Sequence, residues 1–343
     1  MIVSKSIKVL VVDDSLLFRE SLAKEIAKDF GIEVVGTACD AFDADDKIKK
    51  LKPDVVTLDI EMPKMDGISF LRKLMPQYPI PVIVISSIGN KVFDALDAGA
   101  VDFVKKPDSY KPGTVNAFIN EILIKIKIAS TIKTGKLKKK YKADPARTYK
   151  DIALSDAVIA IGASTGGTEA IYSIIRAFHA EMPGILIVQH MPAIFTRLYA
   201  ERLDNTCELD VREAKNGDIL IPGMVLVAPG DFQMRLVKDR AGFHVEIKPG
   251  EKVSGHCPSV DVLFDSVASA AKDRAVGVIL TGMGSDGAKG LLNMRKQGAF
   301  TIGQDEETSI VYGMPMVAYN IGAVARQLPL MEIPGEICNY LAL

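Results

Sequence analysis

The sequence contains no tryptophan, and aromatic residues make up only 6% of its 343 positions. Its core must therefore be aliphatic, and apolar residues reach 48%. No apolar run reaches the roughly 18 residues of a membrane-spanning helix, which argues against membrane insertion. The apolar run near the N-terminus is too short for the core of a signal peptide, so we expect a cytoplasmic protein.

Cysteine is also scarce. Cys39, Cys207, Cys257 and Cys338 are scattered along the chain, and no two of them form a C-x-x-C pair. This spacing argues against a disulfide framework and against a structural zinc site. It is typical of a protein from a reducing compartment.

The net charge of −1 conceals a strongly basic segment. Ten Lys or Arg and one Asp lie between Lys125 and Lys150, a local charge of +9, so the rest of the chain carries −10. Few apolar residues accompany this charge, which favours a solvated interdomain linker over residues 125–154. A docking surface for an acidic partner and an arm that binds nucleic acid are the alternatives. A nucleic-acid binder is expected to carry its charge on a folded face, so we expect no nucleic-acid partner.

Short runs rich in Val and Ile alternate with helical patterns on both sides of this segment. Examples are IKVLVV and DVVTLDI in the first half, and AVIAIGAS and GILIVQH in the second. This alternation predicts an α/β protein with two doubly wound parallel-sheet domains, residues 5–124 and 155–343. An antiparallel hairpin is expected in MRLVKDRAGFHVEIK. Ligands in such folds bind at the carboxyl ends of the strands.

Three acids follow strands in the first half. Asp13 and Asp14 close the first strand, and Asp59 closes DVVTLDI. Each acid alone is more often a helix N-cap. Together they predict a crevice that raises a pKa or binds a hard cation such as Mg²⁺. Ser86 and Lys106 follow two further strands and could hold the oxygens of a phosphoryl group on Asp59.

The segments VVDDS, LDIEMPKMDG, VISS and DFVKKP resemble the signature of response-regulator receiver domains. The resemblance covers roughly the first 120 residues. It implies a receiver, flavodoxin-like fold with Asp59 as the phosphoacceptor and a histidine kinase as the phosphodonor. It also implies Mg²⁺ bound by Asp13, Asp14, Asp59 and the backbone carbonyl of Glu61.

The same resemblance implies that Ser86 and Lys106 contact the phosphoryl group and that Phe103 is the switch aromatic. The stretch from Ser87 to Gly99 is shorter than receivers usually have there. That departure concerns the signalling face near the fourth helix and leaves the phosphorylation chemistry intact.

The second half contains G-x-S-x-G as Gly162, Ser164 and Gly166. A serine at a tight turn from strand to helix exposes its hydroxyl, and neighbouring N–H groups can hold an oxyanion. A glycine-rich turn of this kind can also hold a pyrophosphate, so the motif alone leaves both interpretations open.

A serine nucleophile needs a base, and the chain has only four histidines. His190 ends the strand GILIVQH and is expected on the same sheet edge as Ser164, whereas His179 and His244 suit structural positions. Asp286 follows another strand and could orient His190. His256 lies in a loop without a clear role; pairing it with an acid from the middle segment is the less favoured alternative.

The segments GASTGGTEAI, VQHMP, LVAPGDFQM, PSVDVLF, LTGMGSDGAKGL and QDEETSIVYGMP together resemble the catalytic domain of the CheB family, the chemotaxis protein-glutamate methylesterases. The resemblance spans nearly all of residues 155–343 and implies Ser164 as nucleophile, His190 as base and Asp286 as its orienting acid. Thr165 would support the site, and Met283 would lend a backbone N–H to the oxyanion hole. Cys257 stands where a longer residue is usual.

The resemblance further implies hydrolysis of glutamate methyl esters, and deamidation of specific glutamines, on methyl-accepting chemotaxis receptors. Phosphorylation of the receiver would activate this esterase during chemotactic adaptation. Ester hydrolysis needs no cofactor in this account, and we expect a monomer.

Two other classes of function remain as alternatives. A DNA-binding response regulator would carry a compact helical output module with a basic recognition helix. A nucleotide-binding oxidoreductase would need G-x-G-x-x-G and an acid at the end of the next strand, which here ends in Gln189-His190.

Overall fold

The computed structural model describes residues 6–87, 89–107, 111–132 and 157–342. The chain divides into two compact units, Met1–Lys140 and Tyr141–Leu343. Their boundary falls inside the predicted basic linker, of which residues 133–154 lie outside the described part of the chain.

The first unit contains five strands and five helices within its described residues. These are β1 (Ile7–Val12), α1 (Leu16–Ile26), β2 (Ile32–Ala38), α2 (Ala41–Leu51), β3 (Val55–Asp59), α3 (Gly67–Gln77), β4 (Val82–Ser86), α4 (Gly89–Asp97), β5 (Asp102–Lys105) and α5 (Pro112–Ala129). The strands form one parallel sheet in the order β2-β1-β3-β4-β5. This order confirms the predicted doubly wound, flavodoxin-like fold, whose crevice lies between the ends of β1 and β3.

Buried apolar strands and capped helices build this unit. All five residues of β3 and all five of β4 are buried, as expected for central strands covered on both faces. Polar side chains fix where the helices begin: Asp40 accepts hydrogen bonds from two N–H groups of α2, and Asp66 accepts one from α3.

The predicted start of the linker at residue 125 is wrong, because α5 continues to Ala129. Lys125 Nζ lies 2.7 Å from Asp102 Oδ1, and the side chain of Ile126 is fully buried. The polar contact and the apolar burial both hold this last part of the helix against the first unit. Lys125 therefore belongs to the first domain and not to a solvated segment.

The second unit has nine strands and six α-helices among its described residues. They are β6 (Val158–Ala163), α6 (Gly167–Ile175), β7 (Gly184–Gln189), α7 (Ala193–Asp204), β8 (Asp210–Glu213), β9 (Met224–Val227), β10 (Phe232–Asp239), β11 (Gly242–Pro249), α8 (Val260–Ala270), β12 (Ala275–Ile279), α9 (Ala288–Lys296), β13 (Phe300–Gln304), α10 (Met314–Asn320), β14 (Arg326–Leu328) and α11 (Ile333–Ala342). Seven of the strands form a parallel sheet in the order β14-β13-β12-β6-β7-β9-β8, and β10 pairs antiparallel with β11. The predicted second α/β domain and its hairpin are confirmed.

The centre of this sheet positions the second site. Strand β6 lies between β12 and β7, so the carboxyl ends of these three strands meet at one edge. Gly162 lets α8 approach this edge closely, since a Cβ at that position would come 2.1 Å from Val260 Cγ1. No helix in the described part of the chain is both long and apolar enough to cross a membrane.

Candidate functional sites

An acidic pocket lies at the carboxyl ends of β1 and β3 in the first unit. Asp13 and Asp59 are each only 2% exposed, whereas Asp14 is exposed. One carboxylate oxygen from each of the three acids lies within 4.8 Å of the other two. The topology therefore brings together the three acids that the sequence places after strands.

Lys106 neutralises part of this negative charge. Its Nζ lies 2.6 Å from Oδ2 of Asp59 and 2.9 Å from Oδ2 of Asp13. Burial raises the pKa of the Asp59 carboxyl to about 6; the Lys106 ammonium lowers this pKa and the nearby Asp13 carboxylate raises it. A buried carboxylate held by one cation is a site where a second cation or a phosphoryl group changes the charge balance strongly.

The remaining residues predicted for this pocket lie on or beside β3, β4 and β5. Ser86 is fully buried and pairs with Lys105 across the strands, and the backbone N–H of Lys106 donates to the Ser86 carbonyl at 2.9 Å. Glu61 N donates to Asp59 Oδ1 at 3.2 Å, which places its backbone in the turn after β3. The Phe103 side chain is buried, with its ring centroid 6.4 Å from that of Phe93 on α4.

The donor set of the pocket fits a hard divalent cation. Mg²⁺ prefers oxygen ligands, usually one or two carboxylates together with waters. Asp13, Asp14 and Asp59 supply such oxygens at one point, and the exposed Asp14 leaves one side of the pocket open to water.

The second site begins at the turn between β6 and α6. Ser164 directly follows β6, and its backbone N–H donates to the Thr281 carbonyl at 3.0 Å. The Ser164 carbonyl accepts from Gly167 N at 2.7 Å, which closes the turn. Gly166 adopts φ 76°, a left-handed conformation that glycine adopts without strain. This tight turn lifts Ser164 to the edge of the sheet at the start of α6.

His190 occupies the equivalent place after the neighbouring strand β7. Ala163 and Gln189, the last residues of β6 and β7, pair in the sheet, so the next residues, Ser164 and His190, are neighbours at its edge. His190 N donates to the Ala163 carbonyl at 3.2 Å. The Gln189 side chain links the two segments further. Its Nε2 donates to the carbonyls of Ser164 at 2.9 Å and of His190 at 3.2 Å.

Asp286, in the loop before α9, is buried between His190 and the first residues of α8. Its Oδ2 lies 2.8 Å from His190 Nε2 and accepts from Val260 N at 2.8 Å. Its Oδ1 accepts from Ser259 Oγ at 2.8 Å and from Asp261 N at 3.0 Å. Burial raises the pKa of this carboxyl, but the hydrogen bonds from His190 and from the backbone of Asp261 outweigh it, so the pKa lies below its usual value.

These contacts determine which nitrogen of His190 carries the proton. Both oxygens of Asp286 already accept hydrogen bonds, so the carboxylate is ionised and Nε2 must donate to it. In the neutral ring the proton is then on Nε2 and the lone pair is on Nδ1. Nδ1 is buried and makes no hydrogen bond to any residue that the structure describes. In the neutral ring this nitrogen carries the lone pair that a base requires.

The loop after β12 closes the site beside Ser164. A Cβ on Gly282 would lie 2.7 Å from Ser164 Cβ, so only glycine allows this approach. Met283 comes next in the chain and its side chain is half exposed. Thr165 is buried, and its carbonyl accepts from Thr281 Oγ1 at 3.0 Å. Both residues thus lie beside the serine turn, and their predicted supporting roles remain predictions.

The sequence predicts no role at this site for Gln189 or Ser259, and it offers His256 only as a less favoured alternative base. Gln189 and Ser259 have no motif that marks them, although a Ser before an apolar helix is a signal for the N-cap that Ser259 forms. The ring of His256 stacks on that of His190 with 3.6 Å between centroids. His256 comes from a loop far along the chain, and only the fold brings it to His190.

Comparisons with known proteins identify the families of both domains. A sequence model described as CheB methylesterase matches residues 159–337, and one described as response regulator receiver domain matches residues 9–112. A protein from Syntrophomonas wolfei named protein-glutamate methylesterase/protein-glutamine glutaminase 2 is 60% identical over 329 residues, which are 96% of each chain. A protein-glutamate methylesterase/protein-glutamine glutaminase from Syntrophotalea carbinolica is 52% identical over 98% of each chain. The crystal structure of the Thermotoga maritima CheB methylesterase catalytic domain has a TM-score of 0.53 and 37% identity, covering 54% of this chain and 99% of that one.

Proposed function

Because the chain belongs to the CheB methylesterase family, we propose that it hydrolyses glutamate methyl esters on chemotaxis receptors and releases methanol. The observation that carries this proposal is the contact of Asp286 with His190, which follows β7 beside the strand β6 that leads to Ser164. The same chemistry would convert specific receptor glutamines to glutamate with release of ammonia. Both reactions are acyl transfers through a tetrahedral intermediate.

The first half of the reaction forms an acyl-enzyme. Nδ1 of His190 removes the proton from Ser164 Oγ as that oxygen attacks the ester carbonyl. The ring then carries a positive charge, and the Asp286 carboxylate stabilises it through Nε2–H. The four hydrogen bonds to Asp286 hold that carboxylate ionised and fixed in place.

Backbone N–H groups hold the oxyanion of the intermediate, and we assign one of these groups to Met283. The close approach of Gly282 to Ser164 supports this assignment. Removing one such donor in other hydrolases costs about 10²–10³ in kcat. His190 then returns its proton to the leaving methoxide, and methanol departs. Water, deprotonated by His190, resolves the acyl-enzyme and regenerates Ser164.

The receiver domain supplies the control. Asp59 accepts a phosphoryl group from a chemotaxis histidine kinase, and the resulting acyl phosphate carries about −1.5 to −2 charges beside Lys106 and Ser86, in place of the single charge of the carboxylate. Phe103 relays this change to the fourth-helix face. Asp13, Asp14, Asp59 and the Glu61 carbonyl would hold Mg²⁺, which when bound would neutralise negative charge on the phosphoryl group. The cluster of three carboxylates with Lys106 supports this role.

Release of methanol from methylated chemoreceptor membranes tests the proposal. The full-length protein is assayed with Mg²⁺, with and without a small phosphodonor such as acetyl phosphate. We expect release that rises when the phosphodonor is present. Release without stimulation would support the esterase and reject the control by Asp59, and no release on either arm would reject the proposed substrate.

A further inference from the structure

The loop histidine His256 lies flat against the proposed catalytic base. The two rings are 3.6 Å apart between centroids and 7° from parallel. We propose that His256 is a positioning residue, whose stacked ring holds the His190 ring in the plane that directs Nε2 at Asp286 and stabilises its positive charge during the reaction. This inference rests on the proposed function of the triad. The triad mechanism itself assigns no task to His256.

The backbone around His256 is built as a tight turn. Val253 N donates to the His256 carbonyl at 3.0 Å, and His256 N donates to the Val253 carbonyl at 2.9 Å. The two residues between them, Ser254 and Gly255, have φ of 52° and 87°. Two left-handed residues inside a two-residue loop are characteristic of a type I′ turn. A turn closed by two hydrogen bonds fixes the direction in which the His256 side chain leaves the loop.

A buried amide connects this turn to the acid of the triad. Nε2 of Gln233, which is almost fully buried, donates to the carbonyls of Glu251 at 2.9 Å and His256 at 3.4 Å. Its Oε1 accepts from Ser259 N at 2.9 Å. Ser259 in turn donates to Asp286 at 2.8 Å. The same network thus connects the loop of the stacked ring with the carboxylate that contacts His190 Nε2.

The charge state of His256 suits this task. Burial, the adjacent His190 and Lys252 all lower the pKa of His256, and Asp286 raises it. The result is a pKa of about 4. These are the charged and titratable groups that act on the ring. At neutral pH His256 is therefore uncharged and does not repel the imidazolium of His190. A neutral aromatic face beside a cation is attractive.

Substitutions at His256 separate stacking from other roles. His256→Ala removes the ring, whereas His256→Phe keeps a flat ring without nitrogen atoms. For the full-length protein on methylated receptor membranes, we expect His256→Ala to lower kcat about 10- to 100-fold with KM within about twofold of wild type. We expect His256→Phe to restore kcat to within about threefold of wild type. His179→Ala, at a partly exposed histidine whose Nδ1 lies 3.6 Å from Glu208, is the matched control.

A second measurement keeps this inference separate from the proposed substrate. The rate at which a fluorophosphonate labels Ser164 depends on the base and not on the receptor. We expect the same order for labelling: wild type and His256→Phe fast, His256→Ala slow. If wild type releases no methanol, the substrate is wrong, and the labelling order still decides the role of His256.

Two results would overturn the proposal. One is His256→Ala with wild-type kcat and labelling rate. The other is a kcat and a labelling rate for His256→Phe as low as those of His256→Ala, which would show that the ring nitrogens act and the stacking does not. Melting temperatures identify variants that fail to fold. If His256→Ala fails to fold, His256→Gln replaces it as the variant without a ring, because glutamine has a planar group of similar length.

Discussion

The Nε2 atom of His190 lies 2.8 Å from Oδ2 of Asp286, an arrangement that leaves the lone pair of a neutral ring on Nδ1. In chymotrypsin-like proteases the acid binds Nδ1 and the serine faces Nε2. In this site the acid binds Nε2 instead, and Nδ1 makes no hydrogen bond to any described residue. The acid is held by the first turn of α8, whose N–H groups at Val260 and Asp261 both donate to it.

Asp286→Asn is expected to lower kcat about 10⁴-fold, as loss of the correct tautomer does in other triads. An amide can donate to Nε2 and thereby move the ring proton to Nδ1, where it blocks the attack on the Ser164 proton. Methanol release from methylated receptors measures the effect, and Asp210→Asn on the exposed edge strand β8 is the control. An Asn variant that retains more than about a tenth of wild-type kcat would contradict the assignment of Asp286.

Gly282→Ala is expected to lower kcat by about 100-fold or more, because displacement of the nucleophile by about 1 Å has effects of that size. The added Cβ would lie 2.7 Å from Ser164 Cβ and 2.4 Å from Met314 Sδ. The Met314 side chain can move, but the turn that carries Ser164 cannot move without losing its geometry. Gly335→Ala, where a Cβ meets no atom within 4 Å, is the control and should keep full activity. Equal activity of the two variants would show that the loop after β12 does not confine Ser164.

Much of this arrangement could be predicted from local sequence. The order of strands and helices follows from apolar runs, and the rule that polar residues cluster at strand ends led to Asp13, Asp59, Ser164, His190 and Asp286. The bounds of α6 (Gly167–Ile175) do not follow from apolar periodicity, because the glycine-rich turn decides where the helix begins. Helix ends are the least certain part of such predictions, since capping contacts decide them.

Other features depend on contacts between distant segments. Charge alone predicts a linker that begins at residue 125, whereas the pairing of Lys125 with Asp102 is a tertiary contact that composition does not reveal. His256 appeared to be an isolated loop histidine, because its stacking on His190 arises only when the turn at residues 253–256 is placed beside β7. The short stretch after Ser87 still forms α4 (Gly89–Asp97), and its signalling role stays a prediction.

Asp59→Asn is expected to abolish stimulation by acetyl phosphate and to leave unstimulated methanol release in place. The amide cannot accept the phosphoryl group. The measurement is the ratio of methanol release with and without the phosphodonor. Asp46→Asn, on the exposed face of α2, should respond as wild type does. Stimulation that persists in Asp59→Asn would place the phosphoacceptor elsewhere.

Removal of divalent cations is expected to separate the two activities. With EDTA, we expect the full-length protein to lose phosphodonor stimulation and to keep its basal rate, because the proposed triad chemistry uses no metal. Asp14→Ala should raise the Mg²⁺ concentration needed for half-maximal phosphorylation, since it removes one of three clustered carboxylates. A titration of phosphorylation against Mg²⁺ checks this, and an unchanged midpoint would exclude Asp14 as a ligand.

The stability of the catalytic domain is expected to depend on pH through His256. Its pKa is about 4 in the folded protein, against an ordinary value of 6.5. Between these values the unfolded state binds the proton more readily, so the free energy of unfolding is fully retained above about pH 6.5 and falls as the pH decreases towards 4. His256→Phe should make this decrease smaller. Denaturant unfolding of the full chain at several pH values measures it, and parallel curves for wild type and variant would be inconsistent with a neutral buried ring.

The most direct measurement is the initial rate of methanol release from methylated chemoreceptor membranes by wild type and by Ser164→Ala, each with Mg²⁺ and acetyl phosphate. Ser269→Ala, at an exposed serine of α8, is the matched control. We predict release by wild type and by Ser269→Ala, and a decrease on the order of 10⁶ in kcat for Ser164→Ala. Turnover by Ser164→Ala at the rate of wild type would contradict a serine mechanism at this site.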